Sequence, residues 1–194
     1  MRGLDTLIVY CHPYDLSFNH AVLTAVQAGL DRANRTYEVC DLYADGFNPT
    51  MRAADLATYN EGSSADPLVA RYQSLIERAE RLVFVYPVWW NDMPALLKGW
   101  FDKVMLVGFS WKATGQGLVG TLGGRIGHVD VYTTSSESTE HLREAISTAF
   151  TDGTLAQLGI SERAWYNFGG LDQSNVKERE AWLMRVEERE AARR

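Results

Sequence analysis

Residues 82–86, Leu-Val-Phe-Val-Tyr, form an unbroken run of apolar, β-branched and aromatic side chains. A strand with one wet face would alternate. This run has no polar face, so it predicts a strand covered on both sides, as in a parallel sheet between helical layers. Pro87 ends the run. From Ala95 onward, Leu96, Leu97, Trp100, Phe101 and Val104 recur at helical spacing, with Lys98, Asp102 and Lys103 turned away. Pro94 is predicted where that helix begins, with Asn91 or Asp92 as its cap. A buried strand thus delivers a short loop, 87–93, to a helix N-terminus. The carboxyl end of a parallel strand is where open α/β sheets take ligands. This loop carries Trp89 and Trp90 side by side, where a connector is ordinarily small and polar. Two readings stand at this point. The indoles plug the top of the core, or they form a flat wall for a planar ring with loop amides facing its polar edge.

The rest of the chain repeats the alternation. Strands are predicted at 4–11, 36–42, 126–134 and 163–168, and helices at 19–32, 67–80, 139–150 and 175–193. Residues 43–66 and 108–124 show no clean periodicity, and connectors of that length usually have a function or a partner. At 194 residues the chain suits one domain, 1–194. Alternating strands and helices predict an α/β three-layer sandwich with right-handed crossovers. A five-stranded parallel sheet of order 2-1-3-4-5 has its switch point between the first and third strands. Loops 12–19 and 87–93 would meet there, with 133–140 beside them.

Composition narrows the function. Hydrophobic content of 46% and charged content of 23% are those of an ordinary globular protein. A net charge of −6 leaves no basic face for nucleic acid. No apolar run reaches the length a bilayer requires. The first residues lead directly into a strand, so no signal peptide is predicted. The two cysteines, Cys11 and Cys40, end predicted strands and have no metal-ligand spacing. They predict no disulfide framework and a reduced, cytoplasmic setting. Cys11 and His12 are adjacent, but neighbouring strand residues point to opposite faces, which argues against a nucleophile and its base.

The first loop is neither G-x-G-x-x-G nor G-x-x-x-x-G-K-[ST]. It offers His12, Ser17, the amides of Phe18 and Asn19, and a helix N-terminus, which together suit a phosphate. Ser17 and Asn19 also serve as plain helix caps on this pattern. The third loop adds the hydroxyls of Thr133, Thr134, Ser135 and Ser136 ahead of another helix. A phosphate loop, an aromatic loop and a hydroxyl loop at one crevice suit a flavin.

The residues also carry a resemblance. His12-Pro13 with Ser17-Phe18-Asn19, Asp41-Leu42-Tyr43-Ala44 with Phe47-Asn48-Pro49, and Tyr86-Pro87-Val88-Trp89-Trp90 followed by the segment 94–104 resemble the flavodoxin-like NAD(P)H:quinone oxidoreductases. That family includes modulator-of-drug-activity enzymes and the ancillary reductases of potassium efflux systems. The resemblance runs from about residue 5 to 136, and 86–104 is its most specific part. It implies a flavodoxin-like fold, FAD (slightly preferred) or FMN, NAD(P)H as co-substrate, a quinone-like acceptor, and a homodimer with the site at the interface. His12, Ser17, Phe18 and Asn19 would hold the flavin phosphate. Pro87, Val88, Trp89, Trp90 and Asn91 would line the isoalloxazine, and Thr133, Thr134, Ser135 and Ser136 would close over its polar edge. The predicted apolar surface of Trp100, Phe101, Phe109 and Trp111 would meet the second subunit about a two-fold axis.

This chain departs from the family pattern at two places. Thr133-Thr134-Ser135-Ser136 stands where the family usually reads Thr-Thr-Gly-Gly, which adds Cβ atoms where backbone approaches the ring. His141 stands at a family tyrosine position, and the following loop with its catalytic histidine is absent, because 142–145 continues as helix. The family's proton relay is therefore not carried over. His141 is the one candidate catalytic residue, set against its reading as a surface helix histidine. Beside the reductase reading stand two others, a flavin-binding accessory or regulatory subunit and a flavodoxin-type electron carrier.

Overall fold

The apolar run at 82–86 lies inside the middle strand of a five-stranded parallel sheet. The computed structural model describes residues 3–193. In chain order the strands are β1 (Leu4–Tyr10), β2 (Tyr37–Asp41), β3 (Ala79–Pro87), β4 (Trp111–Thr114), β5 (Gly117–Gly120), β6 (His128–Thr134) and β7 (Glu162–Phe168). The helices are α1 (Phe18–Arg32), α2 (Ala53–Tyr59), α3 (Pro67–Arg78), α4 (Ala95–Val104), α5 (Thr139–Ile146) and α6 (Val176–Ala192). The parallel sheet runs β2-β1-β3-β6-β7, which is the order 2-1-3-4-5 once the separate β4–β5 hairpin is set aside. No helix among the described residues is long and apolar enough to cross a membrane.

β3 is buried on both faces because helices cover both. Leu82, Phe84 and Tyr86 face α3 and α4, and Val83 and Val85 face α1 and α6. Phe84 sits 5.9 Å from the Trp100 ring, 5.3 Å from Phe101 and 5.8 Å from Phe150. Trp100 and Phe101, expected on an exposed edge, are therefore spent in this chain's own core, while Phe109 and Trp111 remain half-buried.

Other local expectations are corrected. Neither Asn91 nor Asp92 caps α4. Pro94 takes the cap position, with no side-chain cap bond, and its carbonyl accepts from the Lys98 amide. The Asp92 carboxylate instead accepts from the Met93 amide at 2.7 Å. The connector 43–66 contains α2, and 108–124 contains the β4–β5 hairpin. The predicted helix 139–150 stays α-helical to Ile146 and then winds wider, as a π-helix over Ser147–Leu155. The connector is pinned to α4 at two points. Buried Lys103 donates to the Asn48 carbonyl and to Asp66, both at 3.0 Å. Gly99 lies flush against Pro49, where any Cβ would collide with backbone.

A buried ionic cluster fastens α6 to the amino-terminal edge of the sheet. Arg81 bonds both Asp130 and Glu190, whose side chains are fully buried. Arg193 reaches Asp130 at 2.6 Å, His128 Nε2 meets Asp130 at 2.8 Å, and the Tyr132 hydroxyl donates to Glu190 at 2.6 Å. Burial alone would raise the Asp130 pKa. The His128 hydrogen bond and the charges of Arg81 and Arg193 outweigh it and hold the carboxyl below its ordinary value. A depressed carboxylate pKa gives stability that is present above the unfolded value of about 3.9 and is lost as pH falls through the folded value. Asp130→Asn is expected to destabilise the protein by about 3–5 kcal/mol at neutral pH. Thermal melts from neutral to strongly acid pH check this, and the gap from the parent should narrow below about pH 4.

Candidate functional site

At the carboxyl end of the sheet, three loops leave β1, β3 and β6. After β1, Ser17 caps α1 by accepting from the His20 amide at 3.1 Å. The amides of Phe18 and Asn19 open that helix with no intrahelical partner available to them, and the helix dipole makes this end electropositive. His12 Nδ1 accepts from the Tyr14 amide at 3.1 Å. Burial pulls the His12 pKa below its ordinary value, which favours the neutral ring, and the bond accepted at Nδ1 places the neutral ring's proton on Nε2. The Phe18 ring does not face a ligand; it packs 5.0 Å from Phe168.

After β3 the chain makes a tight two-residue turn. Trp89 and Asp92 exchange backbone bonds of 2.9 and 3.1 Å, and Trp90 and Asn91 take φ of 52° and 63°. Positive φ at both central residues is the geometry of a hairpin turn, unusual for tryptophan. It turns Trp90 fully into solvent, at 100% exposure, and leaves Trp89 43% exposed. The indoles therefore do not plug the core. Trp89 lies 6.2 Å from the His12 ring, so the first two loops adjoin.

Three of the four hydroxyls after β6 are already engaged. Thr133 Oγ1 is bonded to Asn167 Oδ1 and accepts from the Trp165 indole, both at 2.8 Å. Ser135 Oγ donates to the Glu137 carbonyl at 2.7 Å and accepts from Asn167 Nδ2 at 2.8 Å. Thr134 joins all three loops. Its Oγ1 accepts from Asn19 Nδ2 at 2.6 Å, and its carbonyl accepts from the Val88 amide at 2.8 Å. Only Ser136 keeps its hydroxyl outside this network and exposed. Asn167, in β7, orders the whole loop and was missed. Its only signal is one polar residue in the run Trp165-Tyr166-Asn167-Phe168.

The second and third loops enclose a cleft of about 540 Å³ lined by Val88, Trp89, Trp90, Asn91, Ser135, Ser136, Glu137 and Leu142. Among the described residues, the amides of Trp90, Asn91 and Ser136 have no protein acceptor. Asn19 Oδ1 is buried and likewise has no partner. His141 is exposed on α5, its amide bonded to the Ser138 cap at 3.2 Å, and it does not line the cleft. Cys11 is buried behind the first loop, and burial pushes its thiol up to about 12, which makes it a poor nucleophile. The arrangement offers an anion site at a helix N-terminus beside a flat aromatic cleft edged with free backbone donors.

Comparison with known proteins agrees with the fold. A family described as the flavodoxin-like fold matches residues 5–190. The ribosyldihydronicotinamide dehydrogenase (quinone) of Mus musculus is 28% identical over 210 aligned positions, covering 94% of this chain and 89% of the mouse protein. NAD(P)H dehydrogenase (quinone) 1 of Rattus norvegicus is 32% identical over 122 positions, covering 54% of this chain and 44% of the rat protein. An NAD(P)H:quinone oxidoreductase from Methanothermobacter marburgensis superposes with a TM-score of 0.87 at 28% identity, over 97% of this chain and 96% of that one.

The Thr134 junction has a direct test. Thr134→Val keeps the shape and removes the acceptor for Asn19, leaving a buried amide unpaired. A loss of about 1–3 kcal/mol in stability is expected. Hydrogen exchange should show faster exchange in both 12–19 and 87–92, whereas a change confined to β6 would show that the loops are not coupled through this residue.

Proposed function

The chain belongs to the flavodoxin-like family, and from that premise we propose that it is a flavin-dependent NAD(P)H oxidoreductase acting on quinones or similar flat acceptors. The net reaction is NAD(P)H plus a proton plus quinone giving NAD(P)⁺ plus hydroquinone. The observation that carries this reading is the set of unpartnered donors around an exposed indole pair: the amides of Phe18 and Asn19 on one side, and those of Trp90, Asn91 and Ser136 on the other. The donor set fits a flavin. An anionic tail suits the start of α1, a polyhydroxyl chain suits the orphaned Asn19 Oδ1, and a flat ring with a polar edge suits the cleft. A bound flavin would supply the redox chemistry, taking a hydride from the reduced nicotinamide and returning it to the acceptor in a second half-reaction.

The protein's own work is binding, orientation and charge support. His12 Nε2–H, the Ser17 hydroxyl and the first α1 amides would hold the phosphate. Trp89 and Trp90, with Pro87 and Val88, wall the ring. The amides of Trp90, Asn91 and Ser136 support negative charge at its polar edge, where fixed dipoles require no reorganisation. Transfer between stacked rings calls for geometry before acid catalysis. FAD is slightly preferred to FMN, because Ser17-Phe18-Asn19 and the connector 43–66 resemble those of FAD-using members and that connector, pinned to α4, could cover an adenosine. The shorter C-terminal half pulls the other way. A homodimer is supported by the half-buried Phe109 and Trp111 and by Leu118 and Val119, exposed on the β4–β5 hairpin. Two buried thiols without a disulfide suit a reducing, cytoplasmic setting. The accessory-subunit reading has one observation in its favour, that His141 does not line the cleft, which leaves Glu137 as its one ionisable side chain.

The first test is spectroscopic. Purified protein is expected to be yellow, or to take up FAD or FMN at micromolar concentration; a preparation that binds neither ends the proposal. The second is kinetic. His141→Ala should lower turnover of flavin-saturated protein with one quinone by roughly tenfold or less, against about 10²-fold for a true general acid. A nearly dead variant with unchanged flavin content would assign the proton to His141. Trp89→Ala and Trp90→Ala should instead lose activity by loosening flavin.

A further inference from the structure

The loops that build the cleft, segments 12–19, 88–94 and 133–141, carry four carboxylates, Asp15, Asp92, Glu137 and Glu140, the two histidines His12 and His141, and neither lysine nor arginine. Burial lowers the His12 pKa and so disfavours its cationic form. Glu140 is neutralised by Arg143 at 3.1 Å. Asp92 is engaged by the Met93 amide, not by a cation. Of the cations on adjoining elements, Lys98 pairs with Asp102 at 2.6 Å, while Arg179, bonded to the carbonyls of Leu171 and Ser174, and Arg185, over the Trp182 ring, keep their charge but do not line the cleft. Glu137 is exposed and lines the cleft itself, beside Ser136 and across from the turn that carries Trp90.

Resting on the reductase reading, we infer that this rim sets substrate choice by charge. The site takes uncharged or cationic planar acceptors in preference to anionic ones, and Glu137 is the specificity-determining residue. The recognition groups within the cleft are backbone amides and indole faces, which do not distinguish a neutral quinone from its sulfonate. The rim carboxylates do. At a separation of about 8 Å in largely aqueous surroundings, one like charge lowers the local concentration of an anion roughly two- to threefold. Several acids around one mouth compound that effect, and salt screens it.

The test compares 1,4-naphthoquinone with its 2-sulfonate on the flavin-loaded full-length protein. The readout is the ratio of kcat/KM for the sulfonate over that for the parent quinone. Comparing this ratio between variants cancels the intrinsic reactivity of the two acceptors. Glu137→Gln is expected to raise the ratio about threefold and Glu137→Lys about tenfold. In the parent protein the ratio should rise as ionic strength goes from ~0.02 M to ~0.5 M, and Glu137→Lys should weaken or reverse that trend. Glu162→Gln, an exposed carboxylate at the amino-terminal edge of the sheet, should leave the ratio unchanged. Calorimetry supplies a readout without turnover. Naphthalene-2-sulfonate should bind Glu137→Lys about tenfold more tightly than the parent protein, with naphthalene-2-sulfonamide unchanged within about twofold. If naphthoquinone is reduced but neither Glu137→Lys nor salt moves the ratio, the charge inference falls and the reductase reading stands. If flavin-loaded protein reduces neither acceptor, both fall together.

Discussion

The candidate site depends on the junction at Thr134. The loops after β1, β3 and β6 are far apart in sequence, and each is free to move unless something ties it to the others. Thr134 ties them with one side-chain bond and one backbone bond. Its Oγ1 accepts from Asn19, 115 residues earlier, and its carbonyl accepts from Val88. Both bonds lie at the top of the sheet, where β6 lies beside β3 and the start of α1 crosses over from β1. A donor buried here without this acceptor would cost about 1–3 kcal/mol, more than the net worth of the bond itself, so the arrangement is self-enforcing. Asn167 repeats the device one strand further out, holding the Thr133 and Ser135 hydroxyls. Three of the four hydroxyls, those of Thr133, Thr134 and Ser135, are engaged within the protein, and their engagement fixes the backbone that carries the free amides.

Much of the fold was legible because burial writes itself into composition. A strand covered on both faces must be apolar throughout, and 82–86 is; helices covering it must show one apolar stripe, and α4 does. The hairpin at 111–120 was illegible for the same reason. Its strands are four residues each and largely exposed, so they have no buried face to imprint a pattern. The π-helical stretch after Ile146 is a matter of winding, to which side-chain periodicity over nine residues is nearly blind.

The site divides along a similar line. Which loops would meet followed from strand order. Which side chains face the crevice did not, because that is decided by φ angles and by competing partners inside the protein. Trp90 is the clearest case. Sequence left its indole equally suited to plugging the core or walling a ring, and a left-handed backbone at Trp90 and Asn91 decides for the exposed position. Such a conformation in a bulky residue costs on the order of 1–3 kcal/mol and persists only where the surroundings enforce it. The paired Trp89–Asp92 bonds and the Val88–Thr134 bond do so here. Phe18 shows the converse: its ring packs against Phe168 at the edge of the core, which leaves only its amide for a ligand.

The two ends of the sheet treat charge in opposite ways, and the contrast explains how an acidic protein can hold an anion. At the amino-terminal edge, carboxylates are buried against arginines, so each charge is cancelled locally and α6 is locked down. At the carboxyl end no arginine or lysine stands in the three loops, and positive potential comes from the α1 N-terminus and from amides that the turns leave unpaired. A guanidinium would bind a phosphate more strongly, but it is long, mobile and attractive to every passing anion. Fixed amides are weak individually, short in range, and already oriented. They hold an anion that fits the loop and do little for one a Debye length away, where the surrounding carboxylates dominate instead. A site built this way would hold an anion fitted to the loop while its rim disfavours an anionic acceptor that brings no such fit. That combination follows from placing dipoles inside the crevice and net charge on its rim.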